Sequence, residues 1–187
     1  MIFKETRLND VFEIELTPHG DERGFFARTY CWREFEARGL NPRIVQCNVS
    51  YNRMRGTLRG MHYQEAPHRE AKLIRCVRGA LYDVVIDLRP DSPTFRQWAA
   101  VELRGEPIQA SRMLYVPEGF AHGFQTLEDD TEVFYQMSEF YAPEAARGFR
   151  WNDPAFSVDW PEPVRVISDR DRSYPDFAVG RPEVASS

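Results

Sequence analysis

The chain has 187 residues, enough for one domain with its own core, and its 42% hydrophobic and 28% charged residues are typical of a globular protein. A net charge of -5 excludes a general nucleic-acid binder, although clustered arginines can still hold a phosphate-bearing small molecule. Three dispersed cysteines without CxxC spacing indicate reduced thiols in a cytoplasmic protein, and the polar N-terminus predicts neither a signal peptide nor a membrane span.

The first predicted elements are a strand, a loop and a helix. Residues 11–16, VFEIEL, alternate apolar and acidic side chains, which predicts a half-buried strand. The loop 21–26, DERGFF, is either a plain surface loop or, since ligand contacts concentrate in loops, part of a binding site. Residues 31–38, CWREFEAR, predict a short helix that Gly39 ends.

Two later strands carry polar groups whose environment depends on the fold. The run RIVQCNVS places Gln46 and Asn48 on one face, where they are either solvated or, inside a barrel, bonded to a polar ligand. Residues 80–89, ALYDVVIDLR, place Asp83 among apolar neighbours, where an ionised carboxylate needs a partner. Asp83 either orients a histidine such as His122 or is a structural hydrogen-bond acceptor, and the structural role is preferred.

The remaining predicted elements are a strand at residues 98–103, a strand that runs into a glycine-bounded bend over 113–124, and a strand at 132–141. In the last of them Tyr135 and Tyr141 are six residues apart, so a straight strand puts both on the same face. Two tyrosines in a strand usually pack in the core with their hydroxyls at its edge. If that face lines a barrel instead, either tyrosine is a potential proton donor.

The C-terminal region is rich in proline and aspartate. From residue 148 it is predicted to wrap the outside of the fold in loops and short turns, with residues from about 180 to 187 disordered. Short strands separated by Gly and Pro, with one short helix, predict an all-β jelly-roll barrel in a single domain over 1–187. The sequence lacks GxGxxG, P-loop, GxSxG and HExxH motifs, which excludes the functions that those motifs carry.

The stretch 56–79, GTLRGMHYQEAPHREAKLIRCVRG, predicts two strands joined by a loop and resembles in outline the metal-binding motif of cupin barrels. His62 occupies the place of one ligand histidine, but Gln64 stands where the next would be and Lys72 where a glutamate would be. In the later segment PEGFAHGF, His122 matches the last ligand histidine. Because an amide is a weak ligand and an ammonium repels a cation, the sequence keeps the cupin frame without its metal site. Two histidines and a lysine in such a barrel suit proton transfer and anion stabilisation.

A longer series of motifs resembles one family. In chain order the motifs are Arg23-Gly24-Phe25-Phe26, Gln46-x-Asn48-x-Ser50, Gly56-Thr-Leu-Arg59-Gly-Met-His62-Tyr-Gln64, Lys72-Leu73, Asp83, Pro117-Glu-Gly-Phe-Ala-His122-Gly-Phe, Tyr135, Tyr141-Ala-Pro and Trp151-Asn-Asp-Pro. From about Thr6 to about Tyr174, this order resembles the dTDP-4-dehydrorhamnose 3,5-epimerases. The resemblance implies an isomerase that is a homodimeric, cupin-like jelly roll with a few short peripheral helices and that needs neither metal nor cofactor.

The resemblance also implies a reaction and its catalytic residues. The substrate would be a nucleotide diphosphate sugar with a ketone at C4 of a 6-deoxyhexose, inverted at C3 and C5 through enolates on the route to dTDP-rhamnose and polysaccharide. His62 would be the base, Tyr135 the acid on the other face, and Lys72 the cation at the C4 oxygen. Asp171 would be the carboxylate partner of His62, with Asp169 as an alternative that the sequence leaves open.

Further residues are implied as substrate contacts. They are Arg23, Phe26, Arg28, Gln46, Asn48, Arg59, His122, Tyr141 and Arg170. The fork-shaped donors of the arginines suit a diphosphate, yet each arginine is equally a candidate for a surface ion pair. Arg28 and Ala146 depart from the family, which often has a glutamate at both positions. Since a carboxylate accepts a hydrogen bond from a base N–H and an arginine cannot, the identity of the base stays open.

Three alternative functions remain at the level of sequence. The first is an epimerase acting at one carbon only, or on a CDP-linked or other nucleotide sugar, which needs the same residues. The second is a metal-dependent cupin with His62 and His122 as ligands, against which Gln64 and Lys72 argue. The third is a non-catalytic sugar-binding jelly roll, in which the clustered acid–base groups have no explanation.

Overall fold

The computed structural model describes residues 1–107 and 112–178, which form mainly antiparallel strands. The strands are β1 (Ile2–Glu5), β2 (Phe12–Glu15), β3 (His19–Asp21), β4 (Gly24–Phe26), β5 (Gln46–Asn52), β6 (Leu58–Gln64), β7 (Lys72–Arg78), β8 (Ala80–Asp87), β9 (Trp98–Arg104), β10 (Arg112–Val116), β11 (Phe120–Thr126), β12 (Thr131–Met137) and β13 (Ala146–Gly148), and the helices are α1 (Trp32–Glu36) and α2 (Asp169–Ser173). The predicted all-β jelly roll with short peripheral helices is confirmed.

Two sheets face each other across the main core. The larger has the order β1-β2-β10-β7-β12-β5 and the smaller β13-β6-β11-β8-β9. Apolar side chains from both, such as Ile74 of β7 and Val85 of β8, pack together between them. The chain crosses from one sheet to the other at Gly79, where φ is +72° and a Cβ would lie 2.6 Å from Oγ1 of Thr131. Only glycine fits this turn without strain.

The outer faces of both sheets are partly covered. Phe35 of α1 packs on the larger sheet, with its ring 5.7 Å from that of Tyr115 and 5.3 Å from that of Phe3. The C-terminal region covers the smaller sheet, where Phe149 and Phe156 pack against β6 and β8. Strand β8 is therefore buried on both faces, which explains why its sequence is almost continuously apolar.

The C-terminal region is tied to the smaller sheet by backbone and amide bonds. The N–H of Leu58 donates to the carbonyl of Val166 over 2.8 Å. The side-chain amide of Gln125 donates to the carbonyl of Glu162 over 2.8 Å and accepts from its N–H over 3.0 Å. These bonds lead the chain back along β6 and place α2 beside that strand.

The strand predicted from residue 113 into a glycine-bounded bend is observed as β10, and the bend at Gly119 transfers the chain from the larger sheet to β11 of the smaller sheet. One predicted strand differs from that observed. The strand predicted over 132–141 ends at Met137, so Tyr141 lies in the following loop and the same-face argument for Tyr135 and Tyr141 was wrong.

The cysteines form no disulfide, since Cys31, Cys47 and Cys76 are all free. In the part of the chain that the structure describes, no helix has the length and apolar character needed to cross a membrane. Residues 180–187, predicted as a disordered tail, lie outside the described residues.

Candidate active site

An open cavity of about 250 Å³ is lined by strands of both sheets. Strands β6, β11 and β13 of the smaller sheet and β5, β7 and β12 of the larger sheet contribute side chains, and α2 lies at its rim. Seven residues predicted from the sequence line it: Arg59, His62, Lys72, His122, Tyr135, Tyr141 and Arg170. The fold thus brings together residues that are spread over most of the chain.

His62 and Asp171 form a dyad at this cavity. Nε2 of His62 lies 2.7 Å from Oδ1 of Asp171, whose side chain is 6% exposed. We assign the tautomer from this contact: Nε2 carries the proton that the carboxylate accepts, and Nδ1 keeps its lone pair. Nδ1 is therefore the nitrogen able to remove a proton, and the carboxylate stabilises the cation that results.

The backbone of β6 and the cap of α2 hold Asp171 in place. The N–H of Gly60 donates to Oδ2 of Asp171 over 3.2 Å, and the hydroxyl of Ser168 accepts the N–H of Asp171 over 3.1 Å. Asp169, the alternative partner, is exposed in the first turn of α2. Burial by itself raises the pKa of Asp171, but the hydrogen bonds and charge of His62, together with the N–H of Gly60, outweigh it and lower that pKa. The carboxyl is ionised at neutral pH.

Gly60 lets β6 and β11 approach closely. Its φ is +133°, and a Cβ there would lie 2.6 Å from the Cα of Gly123. The register across this contact pairs His62 directly with His122. The two histidines that the cupin outline predicted as neighbours are therefore side by side.

Lys72 lies inside the cavity. Its side chain is 10% exposed, and its Nζ lies 3.0 Å from Oε1 of Glu70, whose side chain is 6% exposed. The register places Lys72 between Val116 and Met137 on the neighbouring strands. An ammonium so enclosed stabilises an anion more strongly than it does in water. Sequence reasoning missed Glu70, although the two-residue spacing puts its side chain on the same face as that of Lys72.

Tyr135 reaches the cavity from β12, in the sheet opposite His62. Arg59 also lines the cavity, where its Nε donates to Oδ1 of Asn52 over 2.8 Å. Burial raises the pKa of Tyr135, while the positive charge of Arg59 lowers it and the negative charge of Glu70 raises it. The net shift is upward, so the phenol is protonated at neutral pH and able to donate.

His122 and Asp83 form a second, more buried contact. Nε2 of His122 lies 2.8 Å from Oδ1 of Asp83, and their side chains are 13% and 0% exposed. The atoms are close, but their alignment does not make a hydrogen bond within the described residues. The contact places Asp83 beside His122, and the choice between the orienting role and the structural role stays a prediction.

The side chain of Gln64 makes three hydrogen bonds to backbone groups of neighbouring loops. Its amide donates to the carbonyls of His68 and Phe140 over 2.8 and 3.1 Å and accepts the N–H of Ala142 over 2.7 Å. These bonds fix the loop that carries Tyr141 at the cavity. Among residues 1–107 and 112–178, no three His, Cys, Asp or Glu side chains gather as metal ligands would.

Arginines give the rim of the cavity a positive character. Nε of Arg170 donates to the hydroxyl of Tyr174 over 2.7 Å. Arg147, which sequence reasoning did not single out, lies beside Ala146 on β13 and is paired with Glu65 over 2.9 Å. With Arg59, the cavity has three guanidinium groups, a combination suited to phosphate oxygens.

Five predicted contacts are not among the residues that line the cavity. Gln46 and Asn48 lie on the inner face of β5 but outside the cavity. Arg23 and Arg28 each pair with an acidic side chain of their own chain, at 2.5 and 3.0 Å, and Phe26 is 72% exposed. The hairpin of β3 and β4 pairs with no other described strand.

Comparison with known proteins shows the family of the chain. The family model described as dTDP-4-dehydrorhamnose 3,5-epimerase matches residues 5–179. The dTDP-4-dehydrorhamnose 3,5-epimerase of Shigella flexneri is 42% identical over 168 residues, which are 89% of this chain and 91% of the relative.

Solved structures give the same result. The crystal structure of dTDP-4-dehydrorhamnose 3,5-epimerase from Elizabethkingia anophelis has a TM-score of 0.90 and 38% identity, covering 95% of this chain and 96% of that one. ChmJ, a 3'-monoepimerase from Streptomyces bikiniensis in complex with dTDP-quinovose, has a TM-score of 0.82 and 33% identity, covering 91% and 85%. Because the family model spans nearly the whole sequence, this chain belongs to the dTDP-4-dehydrorhamnose 3,5-epimerase family.

Proposed function

We propose that this chain is an isomerase that converts dTDP-4-dehydro-6-deoxyglucose to dTDP-4-dehydrorhamnose by inverting C3 and C5. The observation that carries the proposal is the presence in one cavity of the His62–Asp171 dyad and the enclosed ammonium of Lys72, with Tyr135 in the opposite sheet. Inversion next to a ketone needs these functions: a base for the carbon-bound proton, a cation at the enolate oxygen and an acid on the other face.

Each inversion uses the residues in turn. Nδ1 of His62 removes the proton from C3 or C5, the electron pair of the broken C–H bond forms a double bond from that carbon to C4, and the π electrons of the carbonyl move onto the C4 oxygen. Lys72 stabilises that oxygen, by about 3 kcal/mol if it acts as single preorganised donors do. Tyr135 then protonates the same carbon from the opposite face while the electrons return from the oxygen. Solvent takes the proton of the imidazolium and restores that of the phenolate.

The rim supports binding of the nucleotide part. Arg59, Arg147 and Arg170 supply guanidinium groups for the diphosphate. We also propose a homodimer. The exposed hairpin with Arg23 and Phe26, which pairs with no other described strand, is then available to the substrate of the partner. Three free cysteines support a reducing compartment, the cytoplasm, where the product enters dTDP-rhamnose and polysaccharide synthesis.

A single-centre epimerase is the second candidate. The likeness to ChmJ, a 3'-monoepimerase, favours it, because the same fold is then compatible with inversion at one carbon. Both candidates need the same base, acid and cation. They differ in which hydrogens exchange with solvent.

The test is proton exchange followed by NMR in heavy water with dTDP-4-keto-6-deoxyglucose. We expect deuterium at both C3 and C5 and a product with both centres inverted. Label at one carbon alone would establish the single-centre epimerase instead. Absence of label at both carbons, with this substrate and with its CDP-linked counterpart, would refute the proposed function.

We also propose that the nucleotide base of the substrate is thymine. Arg28 is paired with Glu34 at 3.0 Å, and Ala146 lines the cavity without a polar side chain. Comparison of kcat/KM for the dTDP-, CDP- and UDP-linked forms of the 4-keto sugar tests it. We expect the dTDP form to be preferred, and equal values for all three would contradict that expectation.

A further inference from the structure

Glu70 is an ionisable group inside the cavity that the proposed chemistry does not use. Its Oε1 lies 3.0 Å from Nζ of Lys72. Its Oε2 is buried and has no hydrogen-bond partner among the described residues. A buried carboxylate oxygen without a donor is unfavourable, and such atoms in native proteins call for an explanation.

Two hydrogen bonds to Ser138 fix the backbone between Glu70 and Lys72. The N–H of Ala71 donates to the hydroxyl of Ser138 over 2.7 Å, and the N–H of Ser138 donates to the carbonyl of Ala71 over 3.0 Å. Ser138 is itself buried. The backbone of Ala71 is therefore held at both its N–H and its carbonyl, and Glu70 and Lys72 on either side of it both line the cavity.

We propose that Glu70 is a substrate-binding residue whose Oε2 accepts a hydrogen bond from the C3 hydroxyl of the sugar, while Oε1 positions Lys72. This inference rests on the proposed function. The C4 oxygen, placed at Lys72, is flanked by C3 and C5. Only C3 carries a hydroxyl, since C5 carries the methyl group and the ring oxygen. An acceptor beside the ammonium therefore finds its donor at C3.

The geometry of the C3 enolate explains why this contact serves the reaction. When C3 loses its proton, C3 becomes planar, and its oxygen and the C4 oxygen lie in one plane on the same side of the double bond. The protein offers two neighbouring groups, an ammonium for the C4 oxygen and a carboxylate for the C3 hydroxyl. These groups fit the planar arrangement of the two oxygens better than they fit the tetrahedral ground state. In the C5 enolate, C3 stays tetrahedral. Glu70 therefore favours exchange at C3 over exchange at C5.

The decisive measurement is the ratio of deuterium incorporation at C3 to that at C5, by NMR in heavy water. In Glu70→Gln and Glu70→Ala, we expect the C3 rate to fall about tenfold or more relative to the C5 rate, as expected for loss of one bond to a charged acceptor. Glu102→Gln, the same change at an exposed carboxylate on β9, serves as the control and should leave the ratio unchanged. An equal fall at both carbons in the Glu70 variants, the signature of a merely structural role, would overturn the inference.

A second measurement does not depend on turnover. The dissociation constant of a dTDP-linked 4-keto sugar lacking the C3 hydroxyl is compared with that of the parent sugar. Removal of the hydroxyl should weaken binding about tenfold in the unchanged protein and hardly at all in Glu70→Ala, because the two changes remove the same bond. Equal weakening in both proteins would refute the contact. If the unchanged protein exchanged the hydrogens of neither C3 nor C5, the proposed function itself would be refuted. If it exchanged them but the C3/C5 ratio were the same in the Glu70 variants, only the inference about Glu70 would be refuted.

Discussion

Replacement of Lys72 by methionine tests the central electrostatic element of the site. Methionine is unbranched and of similar length, so the change removes the charge with little change in volume. Loss of one preorganised group at a developing oxyanion costs about 3 to 4 kcal/mol. We therefore expect kcat to fall roughly a hundred- to a thousandfold. The same C4 oxygen receives the charge in both enolates, so the C3 and C5 exchange rates should fall together.

The variant also removes the partner of a buried carboxylate. Glu70 is 3.0 Å from the ammonium and its side chain is 6% exposed. Breaking a buried pair in this way destabilises a protein by about 3 to 5 kcal/mol. The double variant Lys72→Met with Glu70→Gln removes both charges and should recover much of that stability in urea unfolding, without recovering activity. This separates loss of catalysis from loss of the fold.

The assay combines steady-state kinetics, exchange by NMR and dTDP binding. We expect dTDP affinity to stay within about twofold. Lys72 is assigned to the ketone of the sugar and not to the nucleotide, and contacts outside the few dominant ones contribute little to affinity. Lys4, the only other lysine of the chain, lies exposed on β1, and Lys4→Met is the matched control. If Lys72→Met kept kcat within tenfold of the unchanged protein, or altered KM alone, the assignment of Lys72 to the enolate oxygen would be wrong.

Three further predictions address other parts of the molecule. In Asp171→Asn, kcat should fall roughly a thousandfold or more with KM little changed, because the amide no longer fixes the tautomer of His62. If raising the pH were enough to restore the activity of this variant, the role would be wrong. In Tyr135→Phe, turnover should fall about a hundredfold while dTDP affinity is kept, as measured by initial rates and titration; undiminished inversion would show that another group is the acid. Asp87 is fully buried, and although burial raises its pKa, hydrogen bonds from Arg89 and two hydroxyls lower it overall, so its stabilisation is present above the unfolded-state pKa of about 4 and is lost as the pH falls through the lower folded value. Asp87→Asn should therefore lower urea stability at pH 7 and flatten its acid dependence below about pH 5, and an unchanged dependence would contradict this reasoning.

The resemblance to known epimerases and the physical reading of the residues depend on different observations. The family follows from similarity over nearly the whole chain. The roles of His62 and Lys72 rest on their contacts with two buried carboxylates. Inversion at one centre and inversion at two centres need the same base and cation, so exchange at C3 and C5 remains the informative measurement.

The sequence by itself determined the class of fold and the centre of the site. Alternation and turn residues predicted the strands, because a side-chain period of two shows directly in the order of residues. The cupin outline predicted that His62, Lys72 and His122 would converge, since all three lie on strands whose inward face follows from spacing. The replacement of two ligand positions by Gln64 and Lys72 directed the interpretation away from metal chemistry.

Only the tertiary structure decided which distant groups complete the site. Asp171 reaches His62 because the C-terminal region returns along β6 and Gly60 offers it an N–H, and no local pattern distinguishes it from Asp169. Glu70 and Arg147 precede or follow residues that were identified, yet their place in the cavity depends on how neighbouring strands pair. Short-range periodicity sets which face a side chain occupies, whereas contacts between elements far apart in the chain depend on packing that periodicity does not encode.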